Sequence, residues 1–575
     1  MKRSFTVLLL TAALFPSGSV LAAEQESKPT AIEQTAIAMK VTSIPPTIQK
    51  KMDKLFALQP AFKQLRIHMS MPDDDNKIFY VSLTDAPNDE ALFKGDNIPS
   101  NANLVFDLET GELRSFDIQM KEWASEKKPS TKLAKEKAEQ FLINWLGAEG
   151  RKQFGEPTSH GSGSSTTYDE NGNPTTWANL QVEFPLMLNN IPVSGNDFLR
   201  INVDAAGHVT RLAYNPPNLK NISIPTIAHI RSAEDMKKQL ITSDSLALQY
   251  EEEQPEIYSY PPTGTQKTKS VLRYDLMNVY GTFDAQTGKP ISSMTGEELK
   301  QVSLFFAPWK VVQIHPQGNK LTAHSEKETA EVLSKVFNLD FSQVQLQKPD
   351  WPFSTRQEQY PYAHYYGSDQ KGSGINITIE KASGLITSAG LDMNAENNRP
   401  AAVNKEEAFA TALAFIEKYA SPTAKELEVQ YMIWEEEQPP SWADKENIST
   451  FSRNERQNHH FWFQERYEGI PIADRSYSVT VDAVTGKVIG FSLAPYKEKL
   501  SLPAPEGITS KEKAAESFMQ NKKLKLEYLW PSYFGQKGPA PILTYTWERS
   551  ENAVDYVDAF TGNYVQVPIE RDDEE

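Results

Sequence analysis

The chain has 575 residues, no cysteine, and 76 acidic against 59 basic side chains, a formal charge of −17. The missing thiols exclude disulfide staples, thiol catalysis and cysteine-ligated metal, so hydrophobic cores must hold the fold. The acidic balance argues against nucleic acid and anionic lipid as partners, because both select basic surfaces.

Met1-Lys2-Arg3-Ser4 is positively charged, Phe5 to Phe15 is mostly apolar, and small residues lead into Val20-Leu21-Ala22-Ala23. This is the pattern of a secretory signal peptide, residues 1–23, with cleavage expected after Ala22 or Ala23. The apolar run is shorter than the ~20 residues of a spanning helix. An exported, cysteine-free chain of this size points to a bacterial source and to an extracellular or cell-surface location.

Beyond it the elements alternate. Leu104–Leu108 and Leu113–Ile118 read as strands joined at Thr110-Gly111. A helix is expected from about Thr131, with Ala134, Ala138, Phe141, Leu142, Trp145 and Leu146 on one face at intervals of three and four. His160 through Pro174 has the Gly/Ser composition of a flexible loop. Asn190-Ile191-Pro192-Val193 opens a strand, and Asp204-Ala-Ala-Gly207 is a tight turn. Ser232-Ala-Glu-Asp235 caps a helix, Glu251-Glu-Glu-Gln-Pro255 reads as an acidic loop, and Asp284-Ala-Gln-Thr-Gly288 is a second turn.

The same order then recurs. Ser325-Glu-Lys-Glu328 is a capping box. Ile375–Ile379 and Leu385-Ile386 flank Ser383-Gly384, and Asn404 caps a helix whose apolar face is Ala408, Phe409, Ala412, Leu413, Ile416 and Tyr419. Gly469-Ile470-Pro471-Ile472 and Asp482-Ala-Val-Thr-Gly486 repeat the earlier strand and turn. Gly207 and Gly486 differ by 486 − 207 = 279 positions, as do Ile191 and Ile470. Thr509-Ser510 caps the last helix, and Asp558-Ala-Phe-Thr-Gly562 closes the chain. In such turns Asp accepts from backbone N–H groups two or three residues on, and Gly supplies the positive φ. The expected fold is α+β: tandem duplicated units with helices packed on antiparallel sheets, one half over 24–300 and the other over 301–575.

The hairpins Val479–Val488 and Tyr280–Gly288 resemble the closing hairpin of PepSY-type domains. The order of Lys-Glu-x-Ala helix (Lys135–Ala138, Lys511–Ala514), Ile-Pro strand and Asp-turn hairpin resembles the bacterial YcdB/YcdC repeat family. The resemblance covers most of the chain from about residue 45 to 567. It implies small α+β units, an association with restraining or assisting secreted peptidases, and no catalytic residues to carry over.

The chemistry-bearing motifs are sparse. There is no His-Glu-x-x-His, no Gly-x-Ser-x-Gly and no phosphate loop, and the adjacent pair His459-His460 makes a poor chelate because strand neighbours point to opposite faces. His364 sits in an aromatic strand, Tyr360–Tyr366. The segment Trp434-Glu435-Glu-Glu-Gln-Pro-Pro-Ser-Trp442 is the best place for a sugar-cleaving carboxylate pair, though an acidic Pro-rich loop accounts for it equally well. Strands near Ile191-Pro192 and Ile470-Pro471 are candidate free edges for a partner's added strand, or prolines guarding those edges. The expectation is therefore a non-catalytic exported protein, without cofactor or metal, that binds or regulates an exported peptidase or cell-wall enzyme. A polysaccharide hydrolase and a passive cell-surface component are the alternatives.

Overall fold

A computed structural model describes residues 41–571 apart from 88–98, 169–173, 195–198, 261–266, 278–280, 300–308, 348–360, 369–373, 393–400, 433–438, 446–457, 549–552 and the single positions 216, 218, 221, 340, 342, 343 and 345. Residues 1–23, where a signal peptide is expected, most of the junction near 300–308 and most of the Trp434–Trp442 segment lie outside the described residues.

The first half begins with α1 (Pro46–Leu58), β1 (Arg66–Pro72), β2 (Ile78–Thr84), β3 (Asn101–Asp107) and β4 (Leu113–Gln119). It continues with α2 (Thr131–Arg151), β5 (Thr158–Tyr168), β6 (Pro174–Glu183), β7 (Met187–Leu188), β8 (Ile191–Ser194), β9 (Leu199–Asp204) and β10 (Val209–Tyr214). Eight strands form one sheet in the order β1-β2-β3-β4-β10-β9-β6-β5. Ala102, Leu104 and Phe106 alternate inward along β3 and share a core with Ala134, Ala138, Phe141 and Leu142 of α2. The helices cover this face, and the side chains of the other face are mostly half-buried.

Next come α3 (Ala233–Leu240), β11 (Leu246–Pro255), β12 (Tyr258–Tyr260), β13 (Thr268–Leu276), β14 (Thr282–Asp284) and β15 (Pro290–Ile291). The second half follows with β16 (Lys310–Gln313), α4 (Glu326–Phe337), β17 (Tyr362–Ser368), β18 (Gly374–Glu380), β19 (Ile386–Asp392), α5 (Lys405–Tyr419), β20 (Glu426–Met432), β21 (His459–Tyr467), β22 (Ile470–Val481) and β23 (Val488–Ser492). Its strands run β17-β18-β19-β23-β22-β21-β20-β16, which repeats the β2-β3-β4-β10-β9-β6-β5 order of the first sheet, whereas β16 joins the far edge beside β20 and has no counterpart of β1; through β22 and β11 these strands belong to a larger, 13-stranded sheet. The chain ends with α6 (Lys511–Asn521), β24 (Leu524–Leu529), β25 (Ser532–Tyr533), β26 (Gln536–Lys537), β27 (Ile542–Trp547), β28 (Ala553–Asp558) and β29 (Tyr564–Arg571).

Local chemistry explains these boundaries. Ser130, Ser232, Ser325, Asn404 and Ser510 each accept a hydrogen bond from the third residue beyond, satisfying a free N–H at the helix start. Asn404 and Glu407 complete a reciprocal capping box. The Asp turns are alike: Asp284 Oδ1 accepts from the Thr287 N–H at 2.7 Å, and Asp558 Oδ1 from the Thr561 N–H at 2.8 Å. The fold class is α+β, as the patterning implies.

Two loop expectations are corrected. Residues 158–168 form the edge strand β5, paired with β6 along its length, with the Thr166 and Thr176 hydroxyls 2.8 Å apart. Gly and Ser are tolerated there because an edge strand needs only one partner. Glu251–Pro255 is the end of β11, and Glu251, Glu252 and Gln254 are buried. Arg273 pairs with Glu251, and Arg475 pairs with Glu252, which permits the burial.

The closing units are assembled from both halves. β14 pairs with β27, and β13 pairs with β28. β8 takes β24 as its parallel neighbour through Val193 and Tyr528, while β22 takes β11 through Ile472 and Tyr250. Each closing unit therefore has its helix, Ile-Pro strand and turn hairpin from one half, and its central strand pair (β11–β13 or β24–β27) from the other. The exchange is reciprocal in its details. The Tyr274 hydroxyl donates to the Thr509 carbonyl at 2.7 Å, and Tyr545 donates to the Arg231 carbonyl at 3.0 Å. Tyr250 and Tyr528 likewise donate to the carbonyls of Pro503 and Pro225.

This overturns the free-edge reading of the Ile-Pro strands. Each is already flanked by a strand of the opposite half, so the backbone groups that a partner strand would use are engaged.

Candidate functional site

Strand alternation leaves one face of each eight-strand array open, and register sets which side chains line up across it. On the first sheet one row reads Ser82, Asn103, Asp117, Arg211, Asn202 and Gln181, each directly opposite the next. The Ser82 hydroxyl donates to Asn103 Oδ1 at 2.7 Å, and the Asn103 amide donates to Asp117 Oδ1 at 3.3 Å. Burial pushes the Asp117 carboxyl above its ordinary range, against the opposing pull of Asn103 and Arg211.

The equivalent row of the second sheet reads Tyr366, Asn376, Gly390, Gly490, Thr480 and His460. The cross-strand Asp117–Arg211 pair is here a pair of glycines. Neither glycine has a positive φ, so backbone conformation does not require them. A Cβ at Gly390 would meet nothing within 4 Å, and one at Gly490 would touch only the Thr480 side chain and, at 3.8 Å, the Ala389 carbonyl. Glycine inside a strand weakens it, and often marks a place where something approaches the backbone closely.

The result is a groove of about 450 Å³ across β17, β18, β19, β23 and β22, within the ~300–1,000 Å³ typical of small-ligand sites. Asn376, Thr378, Ser388, Ser478 and Thr480 line it with amide and hydroxyl groups. His364 Nδ1 lies 3.2 Å from the Thr378 hydroxyl, and His460 Nδ1 lies 3.0 Å from that of Thr480. Tyr366 and Trp462 stand on the same face, 36% and 38% exposed. Among the described residues the groove lining contains no Asp, Glu, Lys or Arg.

The buried charges lie elsewhere. Arg475, 1% exposed, donates to Glu465 at 2.8 Å and to Glu252 at 3.4 Å, and the Tyr477 hydroxyl donates to Glu465 at 3.2 Å. Burial pushes the Glu251 and Glu252 carboxyls up and Tyr258 to about 12. These groups tie β11 to β13 and β22, and their partners seal them from any substrate.

The histidines and the aromatic segment fall as follows. His459 points to the helix side, with Nε2 2.9 Å from the Val403 carbonyl, and His460 points to the open face. Trp442 donates to the Thr295 carbonyl at 3.0 Å and packs beside Ala443 and Tyr533, so its ring is a packing group. Among the described residues no group of three or more His, Asp or Glu is placed to hold a metal, and no helix is long and apolar enough to cross a membrane. The sequence reading missed Gly390 and Gly490. Their signal was glycine inside an alternating strand pattern.

The fold and groove define a class: a tandem α+β repeat chain with helix-backed sheets and open polar faces. Residues 311–494, the part bearing the groove, match the family described as "YcdB, YcdC repeated domain". Among solved structures the chain is similar to the Bacillus megaterium YpeB C-terminal domain at 18% identity and a TM-score of 0.23, over 43% of this chain and 99% of that one. No curated protein matches.

Proposed function

We propose that this chain is an exported, non-catalytic binding protein that holds or regulates another exported protein, such as a peptidase or a cell-wall enzyme. The observation that carries the reading is the pair of broad sheet faces left uncovered by helices, each with polar rows held in register. Such faces are rigid platforms, and rigid platforms suit recognition because little side-chain freedom is lost on binding. The carboxylates that cluster most tightly are consumed in internal ion pairs, which favours binding over hydrolysis.

The test uses the chain without residues 1–23 as bait against the medium and cell wall of a bacterial culture. Enrichment of one peptidase or wall enzyme, followed by a change in its rate on adding the purified chain, is the expected result. Recovery of no enzyme, or of one whose rate does not respond, overturns the proposal.

A further inference from the structure

We propose that the groove over Gly390 and Gly490 binds an uncharged oligosaccharide. The inference does not depend on a protein partner, because it concerns the open face of the second sheet alone.

The first argument is internal to the molecule. The two sheets share strand order and register across their central strands, β3-β4-β10-β9 and β18-β19-β23-β22, so each position there has a counterpart on the other face. Where the first face places Asp117 opposite Arg211, the second places Gly390 opposite Gly490. The same scaffold therefore exists with the central position filled and with it bare. Nothing in the backbone demands glycine there, and a Cβ at Gly390 has open space before it. The vacancy is a property of the surface.

The second argument is chemical. Around the bare backbone stand two serines, two threonines and an asparagine, all neutral, each able to donate and accept. Among the described lining residues an ionic ligand finds no carboxylate, ammonium or guanidinium countercharge. A pyranose ring offers in-plane hydroxyls to such groups and an apolar C–H face to an aromatic ring, and Tyr366 and Trp462 supply exposed rings on this face.

The third argument selects against an extended peptide. A peptide gains affinity from a sheet by pairing with free backbone groups at an edge. Here β18, β19, β23 and β22 are interior strands paired on both sides, so their N–H and C=O groups are engaged in the sheet. Only β17, at the rim of the groove, is an edge strand; over the two glycines the pairing groups of the strands are taken, which meets the needs of a sugar and leaves a peptide backbone unpaired.

The test is calorimetric titration of the full chain with cellotetraose and with tetra-N-acetylchitotetraose. The variant Gly390→Asp with Gly490→Arg rebuilds the first face's pair inside the groove. Expected are binding of at least one sugar at millimolar concentration or below, and weakening by about tenfold or more in the variant, one decade of Kd. The variant's melting temperature serves as the folding control. Should it unfold, Ser388→Ala with Ser478→Ala replaces it, with the same direction expected. Binding of neither sugar, equal binding by a folded variant, or binding of a neutral Gly-Ser peptide in preference to both sugars overturns the inference. A protein partner captured by a chain that binds no sugar defeats this inference and leaves the proposed function standing.

Discussion

At the scale of single residues the molecule uses charge in two ways. Arg475 and Glu465 are sealed at 1% and 0% exposure and share bonds with Glu252 and Tyr477. A buried pair is weak evidence for net stability, but removing one member leaves an uncompensated charge. Arg475→Met is therefore expected to lose about 3–5 kcal/mol in urea unfolding, and adding Glu465→Leu should recover part of that loss. A single variant as stable as the wild type would show that the network is solvated. Asp117 acts differently. Its carboxyl titrates above the ordinary 3.8 because burial disfavours the charge. The native state thus binds a proton before the unfolded state does, so this group's contribution to stability rises as pH falls from neutral through the raised value. It levels off below the unfolded value. Asp117→Asn should flatten the rise in urea midpoint as pH falls from neutral toward the ordinary 3.8, relative to wild type. Parallel curves would mean that Asp117 is solvated in the folded chain.

At the scale of elements, legibility in the sequence follows the range of the deciding interaction. Helix starts were readable because a cap bonds three residues away, as Ser325 does with the Glu328 N–H at 3.2 Å. Turns were readable for the same reason. Gly384 has φ +69, and an added Cβ would lie 2.7 Å from the Ala323 carbonyl oxygen, so both conformation and contact require glycine. The strand β11 was misread because Glu251, Glu252 and Glu253 suggest solvent, whereas Glu251 and Glu252 are buried and the groups that pair with them come from afar. Arg273 lies one strand away, and Arg475 is in the other half of the chain. β5 was misread because Ser and Gly composition says nothing about a partner strand. The groove was half legible. Gly390 and Gly490 interrupt strand patterns visibly, but only register places them opposite one another on the uncovered face.

At the scale of the whole molecule, duplication itself hid the connectivity. β11–β13 and β24–β27 are equivalent hairpins, so each satisfies the other's neighbours as well as its own, down to the tyrosine hydroxyls of Tyr274 and Tyr545. Sequence repeats define equivalence and leave open which copy fills a place. The structure fills both crosswise, and the first core accordingly includes Phe518, Tyr528, Tyr545 and Val557 from the far end of the chain. A cut at the repeat boundary then removes strands from both closing units. Fragment 24–300 keeps α3 and β14 but loses β24 and β27, and fragment 301–575 keeps α6 and β28 but loses β11 and β13. Each fragment alone should therefore expose apolar strand faces and associate or aggregate. Coexpressed, they should copurify as a one-to-one complex whose unfolding resembles that of the intact chain. Size-exclusion chromatography with light scattering distinguishes the cases. If each fragment stays monomeric with its own cooperative transition, and the two ignore one another when mixed, each half closes on its own hairpin and the exchange is absent in solution.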